Sequence, residues 1–437
     1  MLHDLQANTR SEHLSSPITA VIVGAGHRSM LYASYANIAP EALCIVGVVD
    51  PDEVRLKEAA ARYGIPPERC YPTVEALIGG GERIADAVIN GTMDHLHVAT
   101  TIPLLQAGYH VLLEKPIGTT EAEVLQLLEA STTHRATVMI CHVLRYAPFY
   151  AEIRRRVAAG EIGDILNLQL AEHVSYHHIA SVFVRGKWNR KDNGGSTMLL
   201  QKCCHDMDLL AWMKSGIAPV RVSSFGGRMF FREENAPKGA GSRCLVDCPI
   251  EESCLYSARK HYIEHGLWGP YVWHGIESLS LTPTIGQKTE SLRTDNPFGR
   301  CVWRCDNTVV DHQSVLVEFA DGSTATFNMA GNTSKPCRSI RLIGTRGEIE
   351  GVLEDGFFVV RHPDLRSRSG YSEERVELNV SGDMHGGGDY RLVEDFLQVL
   401  RGQTPSLSTT VLADSIYGHR IGFAADRALE AGKWVEL

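Results

Sequence analysis

The sequence lacks the features of several large protein classes. No apolar run approaches the roughly 18–20 residues that a membrane-spanning helix needs. There is no basic excess, since the 437 residues include 43 Lys and Arg against 52 Asp and Glu, and a nucleic-acid-binding protein usually shows a basic patch. The polar residues 1–16 lack the apolar core of a signal peptide. We therefore expect a cytoplasmic protein with neither a nucleic-acid nor a membrane partner.

The composition that is present is typical of a globular protein. Apolar residues make up 44% and charged residues 22% of the chain, which excludes a disordered or fibrous protein. The length predicts two domains, or three. The 11 cysteines are an odd number, and in a cytosolic context they indicate free thiols or a metal site before disulfides.

Short apolar runs alternate with helical patterns over residues 15–142. One helix is predicted to end at Gly64, and Thr120 with Glu123 has capping-box spacing ahead of another. The runs are rich in Val, Ile and Leu, as expected for buried parallel strands; they span 18–23, 42–49, 85–90, 109–113 and 137–141. The alternation predicts an α/β domain with a doubly wound Rossmann sheet.

The first predicted strand leads into a glycine-rich loop of the type that binds dinucleotides. Gly24 would permit the tight turn, and Gly26 would let the backbone approach a pyrophosphate at a helix N-terminus. Ser29, a small residue, stands where the motif usually has its third glycine. We therefore predict that this loop, including His27 and Arg28, contacts the cofactor.

The second predicted strand ends at Asp50. A carboxylate at this place can accept hydrogen bonds from the adenosine ribose hydroxyls and would repel a 2′-phosphate. This predicts NAD as the cofactor rather than NADP, with Arg55 as the one nearby residue that argues for NADP. The alternative is that Asp50 only closes the turn at the end of its strand.

Further motifs follow the later strands of this domain in a characteristic order. They are Gly91-Thr92 with His97, then Glu114-Lys115-Pro116, and later His205-x-x-Asp208. In this order the motifs resemble the glucose–fructose oxidoreductase/inositol dehydrogenase (Gfo/Idh/MocA) family over nearly the whole chain. The resemblance implies an NAD(P)-dependent oxidoreductase that moves a hydride between nicotinamide and a ring carbon of a sugar, inositol or related cyclic polyol. It also implies cofactor contacts from Gly91, Thr92, His97, Glu114 and Lys115.

The resemblance assigns the chemistry to Lys115 and His205. Lys115 would stabilise a developing alkoxide by its charge, and its bond to the following proline would be cis. His205 matches the family's catalytic histidine and would take the hydroxyl proton. Asp208, one helical turn later, could orient it. Many family members carry aspartate where this chain has Gln201, so the proton relay could differ, and Lys202 is the alternative base.

The predicted substrate-binding residues also include Arg145, Tyr146 and Trp188, together with Gln201, Lys202 and Asp208. Arginine donates to hydroxyl oxygens, and tryptophan offers an apolar plate to ring C–H groups; a core position is the alternative for Trp188. His173, His177 and His178 could be metal ligands. They lie on a predicted strand and at its end, where histidines without a metal are more common, so we assign no metal to them.

From residue 143 to 437 the pattern changes to the alternation typical of an open, mainly antiparallel sheet. Asp321-Gly322 predicts a hairpin, and helices are expected near 388–402 and 409–431. An α+β domain for substrate binding and oligomerisation is predicted, with its exposed sheet face forming a homodimer or homotetramer.

Residues 232–305 have the composition of an insertion in this second domain. Four of its cysteines could hold a structural zinc: Cys244, Cys248, Cys254 and Cys301. Their spacing lacks a close Cys-x₂-Cys pair, which favours free thiols over a zinc site.

Three functions are compatible with the sequence. The first is an NAD-dependent dehydrogenase acting on a cyclic polyol. The second is a glycoside hydrolase that uses NAD for transient oxidation, elimination, water addition and re-reduction. The third is a dinucleotide-sensing regulator without chemistry, which would not need Lys115 and His205. The dehydrogenase is favoured.

Overall fold

The computed structural model describes residues 16–277, 282–380 and 385–437. The chain forms two compact units. Unit 1 consists of the described residues within Met1–Arg155 and Asn379–Ile416, and unit 2 of those within Arg156–Leu378 and Tyr417–Leu437. The polar stretch before residue 16 lies outside the described residues.

Unit 1 contains a six-stranded parallel sheet with the order β3-β2-β1-β4-β5-β6. This order confirms the predicted Rossmann sheet. The two-residue strand β3 was not predicted. The strands are β1 Ile18–Val23, β2 Leu43–Val49, β3 Cys70–Tyr71, β4 Ala87–Asn90, β5 His110–Leu113 and β6 Val138–Ile140.

Helices alternate with these strands, and their ends follow the predicted signals. The helix that ends at Gly64 has this residue at φ 65°, where glycine avoids the penalty of a side chain. The capping box between Thr120 and Glu123 is present. The helices are α1 His27–Ala33, α2 Tyr35–Ile38, α3 Glu53–Tyr63, α4 Val74–Ile78, α5 His97–Gln106, α6 Glu121–Thr133 and α7 Pro148–Ala158.

The late segment of unit 1 completes its core. Helix α14 (Gly388–Leu400) places Leu392 and Phe396 in the same buried cluster as Ala20 and Ile22 of β1. Because β1, β2, β4 and β5 are parallel, the loops that follow them emerge at one edge of the sheet. Open α/β sheets bind ligands at this edge.

Unit 2 contains a nine-stranded sheet with the order β14-β13-β12-β11-β7-β10-β9-β8-β15. Only β7 and β10 pair in parallel, which confirms the predicted open, mainly antiparallel sheet. The strands are β7 Ile165–Ser175, β8 Pro219–Gly227, β9 His312–Phe319, β10 Thr324–Thr333, β11 Cys337–Gly344, β12 Glu348–Val352, β13 Phe357–Pro363, β14 Tyr371–Glu377 and β15 Val435–Glu436.

Alternating burial gives this sheet one apolar face. On β9, Val315, Val317 and Phe319 are buried while their neighbours face outward, as expected for a sheet covered on one side. The predicted hairpin joins β9 and β10, with Gly322 at φ 81° in its turn.

Helical segments connect the strands of unit 2. They include two π-helical segments, Ile179–Arg185 and Arg259–Glu264. Within the described ranges, no helix is long and apolar enough to cross a membrane. The α-helices are α8 Tyr176–His178, α9 Lys191–Gly194, α10 Met198–Gln201, α11 Cys204–Met213, α12 Gly269–Val272, α13 Ile285–Arg293 and α15 Leu412–Ala431, the last beginning in unit 1.

Candidate functional site

The glycine-rich loop of unit 1 has the backbone that a dinucleotide site requires. Gly24 has φ +77°, and a Cβ atom there would lie 2.9 Å from the Gly91 carbonyl oxygen and the Thr92 nitrogen. Any other residue would therefore be strained and would clash. At Gly26 a Cβ would meet only the Arg55 Nη1 atom, at 3.8 Å, so the backbone is open to close approach there.

Asp50 holds this loop in place from the end of β2. One carboxylate oxygen accepts a hydrogen bond from the Ala25 N–H at 2.7 Å, and the other accepts one from the Asp52 N–H at 2.8 Å. The carboxylate is buried, and its position matches that of the acid which binds the adenosine ribose in Rossmann folds. His27 begins α1 and is exposed, whereas Ser29 is buried.

A buried ionic network lies beneath the loops. Arg28 Nε contacts Glu114 Oε1 at 2.9 Å, and its Nη2 contacts Asp389 Oδ1 at 2.5 Å. The Tyr32 hydroxyl donates to Glu114 at 2.8 Å. Burial raises the pKa of Glu114, but the charge and hydrogen bond of Arg28 more than offset it and lower this pKa. Burial also raises the pKa of Asp389, but the hydrogen bond to His385 and the Arg28 charge more than offset it. Arg28 and Glu114 were predicted as cofactor contacts, and here they join the glycine loop to the loop of Lys115.

Lys115 is half-buried on a loop that several main-chain contacts fix. Its peptide bond to Pro116 is cis, and its N–H donates to Glu114 Oε2 at 2.7 Å. The His97 ring lies between two loops, with Nδ1 2.6 Å from the Pro116 carbonyl oxygen and Nε2 3.1 Å from that of Thr92. His97 therefore positions the loop that carries the lysine.

His142 is a group near Lys115 that the predicted site omitted. It is fully buried, and burial, with the charges of Arg145 and Lys115, holds its pKa well below the usual value. Its imidazole is therefore neutral at physiological pH. The signal in the sequence was its place directly after the last strand of the parallel sheet.

These residues fit a nicotinamide dinucleotide. The turn at Gly24, the open backbone at Gly26 and the acid at the end of β2 are the elements that such a cofactor needs.

Arg145 and Tyr146 have structural partners within unit 1. Arg145 is buried and contacts Asp414 Oδ2 at 2.6 Å. The Tyr146 hydroxyl donates to Asp395 Oδ2 at 2.8 Å. Because both side chains are buried and bound to these carboxylates, the proposed function assigns them no contact with the substrate.

In unit 2, His205 lies in the first turn of α11, and Asp208 follows one turn later in the same helix. Both are buried. Gln201, at the end of α10, donates from Nε2 to the Ser196 carbonyl oxygen at 2.9 Å. An amide cannot release a proton near neutral pH, so Gln201 cannot act as the acid that an aspartate would be at this position.

A buried network of four charged residues adjoins this helix and was not predicted. Glu172 Oε1 lies 3.1 Å from Lys202 Nζ and its Oε2 lies 2.5 Å from Arg338 Nε. The same Arg338 atom contacts Asp206 Oδ1 at 3.1 Å. Burial and the nearby Glu172 charge raise the pKa of Asp206. Lys202, the alternative base, is thus ion-paired.

The sequence did contain a signal for this network. Glu172 occupies an inward position of the alternating strand β7, and Arg338 occupies one in β11. The two residues are direct partners in the β-ladder. Opposite charges at inward positions of two alternating strands indicate a buried ion pair.

The remaining predicted residues of unit 2 have ring contacts. Trp188 is half-buried, with the Lys187 ammonium 4.4 Å above its ring. The three histidines contact neighbouring protein side chains. The His173 Nδ1 atom lies 3.2 Å from the Cys337 sulfur, and the His177 Nδ1 atom accepts a hydrogen bond from Trp268 Nε1. The centre of the His178 ring lies 4.3 Å from that of the Trp268 ring.

The zinc site that the cysteine spacing left open is not supported. Cys244, Cys248, Cys254 and Cys301 do line one cavity. However, in the parts of the chain that the structure describes, no group of three or more His, Cys, Asp or Glu side chains is arranged to hold a metal ion.

Comparison with known families identifies both domains. The model of the oxidoreductase family NAD-binding Rossmann fold (GFO_IDH_MocA) matches residues 18–142. The GFO/IDH/MocA C-terminal domain matches residues 150–241.

Individual relatives agree with this. "Putative oxidoreductase YteT" of Bacillus subtilis is 25% identical over 80% of this chain and 78% of its own. An inositol dehydrogenase homolog of Azotobacter vinelandii, solved with NADH and myo-inositol, has a TM-score of 0.66 at 18% identity and covers 97% of this chain and 98% of its own. The WlbA dehydrogenase of Chromobacterium violaceum, solved with NADH and UDP-GlcNAcA, has a TM-score of 0.63 at 16% identity, covering 96% of each chain. The chain belongs to the Gfo/Idh/MocA family and is an NAD(P)-dependent oxidoreductase of that type.

Proposed function

We propose that this oxidoreductase uses NAD to oxidise a ring carbon bearing a hydroxyl group in a sugar, inositol or related cyclic polyol. The observation that carries the proposal is the loop of Lys115, which Glu114 and His97 fix at the ligand-binding edge of the parallel sheet. Relatives of the same fold were solved with myo-inositol and with UDP-GlcNAcA. The nicotinamide, when bound, supplies the hydride acceptor.

Lys115 supplies positive charge for the reaction. As a carbinol loses its proton, negative charge develops on oxygen, and an ammonium group held on a fixed loop stabilises that charge without reorganisation. The buried Glu114 carboxylate is neutralised by Arg28. Glu114 therefore fixes the loop, and the Lys115 side chain stabilises the charge on the substrate oxygen.

His205 takes the hydroxyl proton in this proposal. Imidazole accepts a proton near neutral pH without a large pKa shift, whereas Lys202 is ion-paired with Glu172. Asp208, in the same helix, orients His205, since Gln201 cannot substitute for the aspartate that many family members carry. Trp188 offers an apolar plate to the substrate ring.

NAD is the preferred cofactor because of Asp50. Its buried carboxylate at the end of β2 would repel a 2′-phosphate. Arg55 does not decide against NAD. Its Nη1 atom lies 3.8 Å from the position of a Cβ at Gly26, where a positive charge would favour the pyrophosphate of either cofactor.

A homodimer or homotetramer through the unit 2 sheet is also proposed. Phe225 on β8 and Leu316 on β9 are large apolar residues exposed on that sheet, at 73% and 49%. Exposed apolar patches commonly mark interaction surfaces. Leu316→Glu should reduce the mass measured by light scattering to that of a monomer, and an unchanged mass would reject this face.

All 11 cysteines are free thiols, which fits a reducing compartment such as the cytoplasm.

One experiment tests the function against its alternatives. The protein is incubated with NAD and a panel of free polyols, nucleotide sugars and aryl glycosides, while nicotinamide absorbance and aglycone release are followed together. Net cofactor reduction, absent in Lys115→Met, supports the dehydrogenase. Aglycone release far beyond the cofactor present would instead identify the redox-assisted glycosidase. Cofactor binding with neither signal would identify a regulator.

A further inference from the structure

A carboxylate oxygen in the first turn of α11 is buried without a hydrogen-bond partner. Asp206 is 1% exposed, and its Oδ1 atom lies 3.1 Å from Arg338 Nε. The other oxygen, Oδ2, accepts no hydrogen bond from any part of the chain that the structure describes. Such a buried atom is costly, and in a native protein it calls for an explanation. Asp206 directly follows His205, the proposed base.

The charges around Asp206 come from several elements of unit 2. Glu172 on β7 and Arg338 on β11 are direct partners in the ladder. Lys202 lies between α10 and α11, with Nζ 3.1 Å from Glu172. Glu354 follows β12 and accepts a hydrogen bond from the Arg338 main-chain N–H at 2.8 Å. The other titratable side chains that interact electrostatically with these residues are His173, Cys203 and Cys337.

The two carboxylates in contact with Arg338 differ in their affinity for a proton. Burial raises the pKa of Glu172, but the charges of Arg338 and Lys202 more than offset it and lower this pKa. For Asp206 burial is the larger effect, and with the charge of Glu172 it raises the pKa. Glu172 is therefore ionised and binds both cations, whereas the charge of Asp206 depends on Arg338.

Stability alone does not explain why these strands carry charges here. Buried ion pairs can often be replaced by apolar residues without loss of stability, because desolvation offsets the attraction. The other inward positions of both strands are indeed apolar; they include Leu168 and Leu170 on β7 and Ile340 and Leu342 on β11. The charged pair stands where the sheet meets the turn that leads to His205. This location indicates a role in the reaction.

We propose that Asp206 is a positioning residue that sets the proton affinity of His205. The two residues are adjacent, and Arg338 fixes the Asp206 carboxylate, so a negative charge lies near the imidazole. That charge stabilises the imidazolium and makes the imidazole a better acceptor of the substrate proton. Asp206 thus supplies a carboxylate near the base, where Gln201 has replaced the aspartate of many family members. This inference rests on the proposed role of His205.

Two variants of this network should change the pKa of His205 in opposite directions. Asp206→Asn keeps the oxygen that contacts Arg338 but removes the negative charge, so the pKa of His205 should fall. Arg338→Gln leaves Glu172 and Asp206 with less positive charge beside them, so the pKa of His205 should rise. We expect a change of about one pH unit in each case. A loosened helix would not produce changes of opposite sign.

Two measurements follow the pKa of His205. NMR of the full chain with labelled histidine gives the titration midpoint without substrate, and the His205 signal is the one that His205→Asn lacks. The fall in turnover at low pH gives the value during the reaction. It should move to lower pH in Asp206→Asn and to higher pH in Arg338→Gln. KM should change little, because the proposal places neither residue in contact with the substrate.

Two further variants are controls. Arg338→Lys keeps the positive charge and should return both measurements towards the wild type. Asp364→Asn removes a carboxylate of the same unit that pairs with the exposed Arg366, and it should change neither measurement. If Arg338→Gln does not fold, a lower pKa of His205 in Asp206→Asn, with no change in Asp364→Asn, supports the proposal.

Three results would overturn the proposal. They are an unchanged midpoint in Asp206→Asn, changes of the same sign in Asp206→Asn and Arg338→Gln, and a His205 signal that does not titrate. A wild-type protein that turns over no member of the substrate panel would instead contradict the proposed function. The midpoints measured by NMR would still decide whether Asp206 acts on His205, so the two failures are distinguishable.

Discussion

Replacing Arg28 with methionine tests whether the ionic network of unit 1 stabilises the cofactor loops. Arg28 contacts Glu114 at 2.9 Å and Asp389 at 2.5 Å, and the side chains of the three residues are 21%, 7% and 11% exposed. Methionine keeps much of the volume but removes the charge. Two buried carboxylates then lose their cation, which is the costly way to break a buried ion pair.

The expected loss is about 3 kcal/mol, the lower end of the range for broken buried pairs, because Arg28 keeps some solvent contact. The pH dependence has a definite sign. In the parent, the pKa values of Glu114 and Asp389 are lowered, so their stabilisation is present above about pH 4 and is lost as pH falls through the folded values. In the variant, Tyr32 and Lys115 still contact Glu114 and His385 still contacts Asp389, but without the Arg28 charge both pKa values lie higher than in the parent. The difference between the proteins should therefore shrink as pH falls through the pKa values of the variant towards the lower ones of the parent.

Hydrogen exchange followed by mass spectrometry measures this loss directly, without added cofactor. The six tryptophans lie in unit 2, so tryptophan fluorescence would not report on unit 1. A loss of about 3 kcal/mol corresponds to about 100-fold faster exchange in β1 and β5 where exchange requires unfolding.

Two further variants control the Arg28 experiment. Lys57→Met, which breaks an exposed ion pair of the same unit, should change exchange little. Adding Asp389→Asn to Arg28→Met should recover part of the loss. Unchanged exchange, or a loss independent of pH, would refute the network's role.

Three further predictions concern the proposed reaction. Asp50→Ser should narrow the preference for NAD over NADP in titrations, and equal affinities in the unaltered protein would reject the argument from charge. Lys115→Met should bind NAD nearly normally but lose turnover by orders of magnitude; weakened binding with normal turnover would make the lysine structural. His205→Asn should remove the fall in turnover at low pH together with about 10²–10⁴-fold of the rate. If that fall persists in His205→Asn but disappears in Lys202→Met, the base is Lys202.

Much of the fold could be predicted because its signals are local. The apolar runs gave the longer parallel strands, and Thr120 with Glu123 gave a capping box that is present. Strand β3, Cys70–Tyr71, is two residues long and is too short to carry a pattern. That Asp389 lies beside Arg28 depends on the chain returning to unit 1 after residue 378, which no local pattern indicates.

The candidate site was predictable in part for the same reason. The motifs around Gly24 and Lys115 are each contiguous in sequence, so the sequence identifies their residues, although it does not predict the contacts these residues make. Arg145 and Tyr146 were assigned to substrate because of their residue types, but their partners Asp414 and Asp395 come from the distant segment.

The transfer of a hydrogen from substrate carbon to cofactor tests the central claim most directly. The member of the polyol panel that reduces NAD fastest is prepared with deuterium on its ring carbons, and the reduced cofactor is analysed by mass spectrometry. We predict one deuterium on the nicotinamide of each reduced cofactor. With Lys115→Met we predict no detectable deuterated cofactor in the same time. Tight binding of NAD without deuterium transfer from any panel member would contradict the account.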